Sequence, residues 1–217
     1  MPRKGSISGK ELEDQLARDP EHQEKMRSFL ASQERRREEE MKQIAPLLAE
    51  LQTVLGVATT PWALANSHSE YPEALPVLLE HLHRPYPSEQ RYAMVRALGK
   101  PWARKYVWSH LIDAYRMEPN EVQGEQTWNR VKDALADEIA TLSKREDQDV
   151  IIKLLMDVNN GRSRLLLLNG LSKSPTARVD EVLHRLATDP DLANEIAARL
   201  RRRARRRVKT GPVERPN

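Results

Sequence analysis

At 217 residues without a cysteine, the chain has room for one large domain or a short repeat array, and it can form neither a disulfide framework nor a thiolate site, which suits a reducing, cytoplasmic compartment. Charged residues make up 31% of it and no run of eighteen apolar residues occurs, so the chain is expected neither to be secreted nor to span a membrane. Its net charge of +4 is unevenly spread: residues 199–217 hold eight Arg and one Lys against one Glu, leaving a mildly acidic body ahead of a strongly basic tail.

Residues 1–20 lack an apolar stripe and read as a mobile lead-in that ends at Asp19-Pro20, where Asp can cap a helix and Pro can occupy its first turn. From 21 to 56 a charged helix or helix pair is expected. Its "SQERRREEE" stretch offers nothing to bury and is laced by opposite charges three and four residues apart. Met41, Ile44, Leu48, Leu51 and Leu55 then form a stripe that could serve a short coiled coil, although Pro46 argues for packing on the domain beyond residue 56.

Between 57 and 200 the apolar pattern is that of paired helices. Thr60-Pro61 opens a short turn of helix. Leu75, Leu78, Leu79 and Leu82 line one face of the next helix, and its return helix is expected to start with Ser88 as cap and to end at Gly99. Trp108, Leu111, Ile112 and Tyr115 mark a second pair, completed near 125–142 by Trp128, Val131, Leu135, Ile139 and Leu142. Ile151, Leu154, Leu155 and Val158 lead a third, turning at Asn159-Asn160-Gly161. Val179, Val182, Leu183 and Leu186 lead a fourth, which resumes after Asp189-Pro190 with Leu192, Ile196 and Leu200. Units of about 30 residues that expose an apolar face when alone are expected to stack, and no stretch alternates as a strand would.

On these residues "ALPVLLEHLHRPYPSEQRYAMVRALGKP" resembles a HEAT repeat, the signature falling on Pro76, Leu78, Leu79, Leu82, Arg91, Ala93, Ala97, Leu98 and Gly99. Residues 11–203 are similar to a group of bacterial HEAT-repeat domain proteins without assigned activity. The resemblance implies an all-α solenoid of about four hairpins, preceded by a long charged helix and followed by the Arg-rich tail at 201–217. It also implies a binding scaffold, since HEAT arrays serve mostly in that way.

Chemistry is sparse. His81 and His83, two apart on a helix, cannot chelate one ion together, and "ANSHSE" reads as a polar loop around Ser67, His68 and Ser69 with no orienting acid. With neither a Gly-rich phosphate loop nor a metal motif, no cofactor, no metal and no enzymatic activity are expected. The densest aromatic and basic stretch, 91–116, admits one enzymatic alternative, a HEAT-like alkylpurine DNA glycosylase. In that reading Asp113 is the acid, Trp102 or Trp128 packs on the nucleotide, and Arg91, Arg96, Arg104 and Arg116 meet phosphate. The simpler expectation is a protein partner met by exposed members of the set Arg91, Arg96, Trp128, Arg130, Arg162 and Arg164 on second helices. In the tail, Arg201, Arg202, Arg203, Arg205, Arg206 and Arg207 continue the run begun at Arg199. They either cap the last helix or hold nucleic acid through its phosphates.

Overall fold

The computed structural model describes residues 19–120, 129–173 and 176–209, with the side chains of 172–177 and 206–209 left out. It is all-α, with no strand among the described residues. The chain divides into two compact units, residues 1–46 and 47–217.

In the first unit the described residues belong to helix α1, Pro20–Leu55, which continues through Pro46 into the second. Asp19 caps it as expected, its carboxylate accepting from the Glu21 N–H at 3.0 Å. Pairs at helical spacing, Lys25 with Glu21 at 2.7 Å and Arg36 with Glu40 at 3.0 Å, lie along its exposed surface. Met26, Phe29 and Leu30 are also exposed there. The lead-in at 1–18 lies outside the described residues.

The second unit begins with the end of α1, which gives Leu47 and Leu51 to the core. It continues through α2 (Pro61–Ala65), α3 (Leu75–Leu82), α4 (Ser88–Leu98), α5 (Arg104–Met117), α6 (Arg130–Leu142), α7 (Gln148–Met156), α8 (Arg164–Leu167), α9 (Thr176–Arg185) and α10 (Ala193–Lys209). Single 3-10 turns at Pro72–Ala74, Pro101–Ala103 and Arg145–Asp147 lead into α3, α5 and α7, the first two opened by a proline whose fixed φ suits a first turn. Helix α4 packs on α2 and α6, and α6 on α8; α3 pairs with α4, α5 with α6, α7 with α8 and α9 with α10. One core joins them, containing Leu78, Leu82, Met94, Leu98, Leu111, Leu135, Ile139, Leu155 and Leu183, all nearly inaccessible.

The predicted apolar faces are largely the buried ones, but Met41 is 48% exposed, Leu47 is buried in place of Leu48, and other positions depart as well. Ser88 caps nothing; Pro87 stands at the N-cap of α4 and no side chain fills that role. Val158 is 66% exposed, because α7 ends at Met156 and the following 3-10 turn carries the side chain out of register. Val107, not Trp108, is the fully buried member of its turn, and Trp108 lies at the edge of the core beneath the Arg104 guanidinium at 5.0 Å. Gly99 does end α4, but its φ of −71° needs no glycine. The requirement is spatial: a Cβ there would collide with the Glu138 carboxylate.

Candidate functional site

Two of the arginines expected to face a partner, Arg91 and Arg164, are spent inside the fold, where with four other cations they close helix C-termini. A helix end leaves carbonyls unsatisfied and carries partial negative charge, so a guanidinium or ammonium is a favourable cap. Lys100 Nζ donates to Ala65 O at the end of α2 (2.6 Å), Arg91 Nε to Leu82 O at the end of α3 (3.1 Å), and Lys132 Nζ to Glu118 O past the end of α5 (2.7 Å). Arg104 Nε serves Leu142 O of α6 (3.0 Å), Arg164 Nη1 serves Leu155 O of α7 (3.3 Å), and Arg199 Nη1 serves Leu168 O past α8 (3.1 Å). Helix α4 stops at Gly99 with Arg96 in its last turn, and the Tyr71 hydroxyl lies 2.8 Å from its Ala97 carbonyl.

Several caps also reach a carboxylate of the next hairpin. Arg91 grips both oxygens of buried Glu118, which also accepts from Asn129 Nδ2 at 2.9 Å. Arg164, 1% exposed, grips Asp189 through Nη1 at 2.7 Å and Nη2 at 3.1 Å and reaches Asp191 at 3.1 Å. These hydrogen bonds hold the Asp189 carboxyl below its ordinary range. Both arginines take a carbonyl nine residues back and a carboxylate 27 residues ahead. Leu82 and Leu155, and Arg91 and Arg164, are thus separated by one constant offset, whereas the two doubly gripped carboxylates, Glu118 and Asp189, lie 27 and 25 residues ahead of their arginines. Arg164 is therefore not an exposed contact residue, and Arg91 is mostly withdrawn. Neither was recognisable as a cap from helical spacing alone, although the constant offset was present in the sequence.

Arg96 pairs with Asp137 at 3.1 Å and with Glu138. Glu138 is buried against Gly99, and desolvation pushes its carboxyl up to about 7. The attraction of Arg96 does not overcome that effect because the guanidinium is itself 40% exposed and screened. Nearby, the Tyr71 hydroxyl lies 2.9 Å from Leu64 O and 2.8 Å from Ala97 O, and burial keeps the phenol above its usual range. Burial likewise lowers the Lys132 ammonium and raises the Asp133 carboxyl.

The exposed remainder is a small surface across α2, α4 and α6. Arg130, half exposed, lies 5.1 Å from the Tyr92 ring and donates to Glu89 at 2.8 Å, and Tyr92 meets Trp62 at 5.6 Å between ring centroids. Trp62 and Tyr92 escaped the sequence reading because they sit outside the apolar stripes, which is also why they are partly exposed. Arg162 is exposed on the 3-10 turn that precedes α8 and lies close enough to Asp133, in the first turn of α6, to act on its carboxyl. Trp128 lies outside the described residues.

The constellation invoked for glycosylase chemistry is dispersed. Asp113 is an exposed carboxylate 3.5 Å from Arg116, Trp102 packs edge-on against Tyr71 at 5.0 Å, and Arg91, Arg96 and Arg104 are ion-paired within the fold. His81 is fully buried, with Nδ1 2.7 Å from the Tyr86 hydroxyl. Ser67 and Ser69 close a turn, the Ser69 N–H donating to Ser67 Oγ at 3.0 Å. No cluster of ligating side chains suited to a metal occurs among the described residues.

In the tail, α10 runs to Lys209, and the arginines divide by face. Arg199 and Arg202 share Glu195, at 2.7 and 2.9 Å, and Arg203 meets Asp180 at 2.6 Å. Arg201 and Arg205 are exposed on another face, with no acidic partner among the described residues. The side chains of Arg206 and Arg207 lie outside the described residues. No helix among the described residues is long and apolar enough to cross a membrane. No protein-family model matches the chain, and neither a curated protein nor a solved structure shows significant similarity to it.

Proposed function

We propose that this chain is a non-enzymatic protein–protein interaction module, an α-solenoid of about four HEAT-like hairpins that acts as a cytoplasmic scaffold or adaptor. The observation that carries the binding reading is the ladder Trp62, Tyr92 and Arg130, supplied by three successively packed helices and left partly exposed. Trp, Tyr and Arg are the residue types that dominate binding energy at interfaces, because they contribute large contact area with few torsions to freeze. The repeat reading is supported by Arg91 and Arg164 each reaching a helix-end carbonyl nine residues back and a carboxylate further along the chain.

A nuclease-treated pull-down from host lysate tests this, comparing the full chain, a chain ending at Leu200, and the double variant Trp62→Ala with Arg130→Glu. A protein partner should be retained by the first two and lost by the third. Loss of every partner after nuclease, or on removing the tail, would instead favour nucleic-acid binding. That second reading rests on Arg201 and Arg205, the outward cations of α10.

A further inference from the structure

Helix α1 carries an apolar face that is exposed along its first half. Met26, Phe29 and Leu30 are each about half exposed, and they lie on the side of the helix that buries Leu47 and Leu51 further along. A row of positions alternately four and three residues apart runs through Asp19, Gln23, Met26, Leu30, Gln33 and Arg37, then through Glu40, Ile44, Leu47 and Leu51. Such a row, recurring about every 3.5 residues, is the seam along which one helix packs on another. Its far end is covered, because Ile44, Leu47 and Leu51 are nearly inaccessible. From 19 to 37 every residue is exposed except His22, which is half-buried.

The make-up of the open stretch selects what can cover it. Its centre is apolar, with Met26 and Leu30 on the seam and Phe29 flanking them, and its two ends carry opposite charges, Asp19 and Arg37. Arg37 has no acidic partner among the described residues, and Asp19 uses one carboxylate oxygen on the Glu21 N–H. Two such helices crossing antiparallel at Ser28 set Met26 opposite Leu30, Gln23 opposite Gln33 and Asp19 opposite Arg37, each match occurring twice by symmetry. Apolar then meets apolar, amide meets amide and acid meets base.

Other arrangements lose these matches. A parallel pair opposes Asp19 to Asp19 and Arg37 to Arg37. Sliding the antiparallel pair by a heptad sets Leu30 against Asp19 in one direction and Met26 against Arg37 in the other. The register that would oppose Arg37 to Glu40 needs Leu47 and Leu51 on the seam, and both are already in the core. We propose that residues 19–37 of α1 pair antiparallel with the same segment of a second copy of this chain. At about 1.5 Å per residue the seam is about 27 Å long, a small interface, so the dimer should dissociate on dilution. The pairing does not involve the Trp62–Tyr92–Arg130 ladder and holds whether or not the ladder meets a partner.

Sedimentation velocity of the full chain over a dilution series tests this, with a monomer–dimer equilibrium as the expected result. Leu30→Glu changes a side chain that is exposed in the monomer, and it should raise the dimer dissociation constant at least about tenfold by placing a carboxylate in the apolar centre. Arg201→Glu with Arg205→Glu should leave that constant unchanged. Because the chain has no cysteine, direction and register can be read by disulfide trapping. Chains carrying Gln23→Cys and Gln33→Cys should cross-link when mixed and oxidised, and each should cross-link poorly with itself. Self-cross-linking as efficient as the mixed reaction would mean a parallel or unregistered contact and would overturn the inference. A monomer at every concentration, or a dimer that Leu30→Glu leaves intact, would overturn it as well.

Discussion

Glu138 and Gly99 show how one contact sets both a residue's identity and a pH response. The Glu138 carboxyl occupies the space a Cβ on residue 99 would need, and its burial raises its proton affinity to a pKa of about 7. The folded chain therefore keeps a proton that the unfolded chain, with an ordinary carboxyl near 4.5, has released. Stability attributable to this group should be greatest below that value, fall as pH rises to about 7, and level off above it. The decline is at most about 3 kcal/mol. Glu138→Gln, which keeps the shape, should remove it, as melting temperature against pH would record. Gly99→Ala should cost about 1–3 kcal/mol through overpacking, and Glu138→Ala in the same chain should recover much of that cost. From sequence, Gly99 was legible as a helix end, while Glu138 gave no sign of itself: a long-range approach of backbone to carboxylate has no local pattern.

At the scale of the element, apolar spacing was sufficient to find the helices, because burying one face of a helix is a periodic requirement. Leu75, Leu78, Ile139, Leu155 and Leu183 fell where that period put them. The ends were harder to read. Asp19 and Thr60 were recognisable as caps because the capping side chain is adjacent to the helix it serves, with the Ala63 N–H donating to Thr60 Oγ1 at 3.1 Å. The C-terminal caps come from other helices, so Arg91, Arg104, Lys132 and Arg164 looked in sequence like surface charge. Removing one should act on the helix it closes. Arg104→Ala frees the Leu142 carbonyl and the Asp147 carboxylate, with an expected loss of about 1–3 kcal/mol in chemical denaturation. Glutamine at 104 should recover part of that loss by keeping one donor.

For the whole molecule, the proposed array of neighbour-to-neighbour contacts makes stability local as well as global. Arg164 is the most consequential single link, because Arg164→Ala leaves Asp189, Asp191 and the Leu155 and Gly161 carbonyls short of a donor in one step. A loss of about 3–5 kcal/mol is expected for breaking a buried ion pair of this kind. Hydrogen exchange should locate it: amides of α7 to α10 should lose protection in the variant, while those of α3 and α4 keep most of theirs. Uniform loss across the second unit would mean one cooperative block instead of a chain of coupled units.

The shared nine-residue reach of Arg91 and Arg164 to a helix-end carbonyl bears on how this chain can be lengthened by duplication. Copying the interval from residue 83 to residue 155 in tandem would give every guanidinium its carbonyl nine residues behind and its own carboxylate ahead, at both the old junctions and the new one. Copying the α5–α6 hairpin alone, residues 101–143, would leave both clamps intact and add none. A designed extension meant to gain a further arginine clamp should therefore copy the longer, two-hairpin interval.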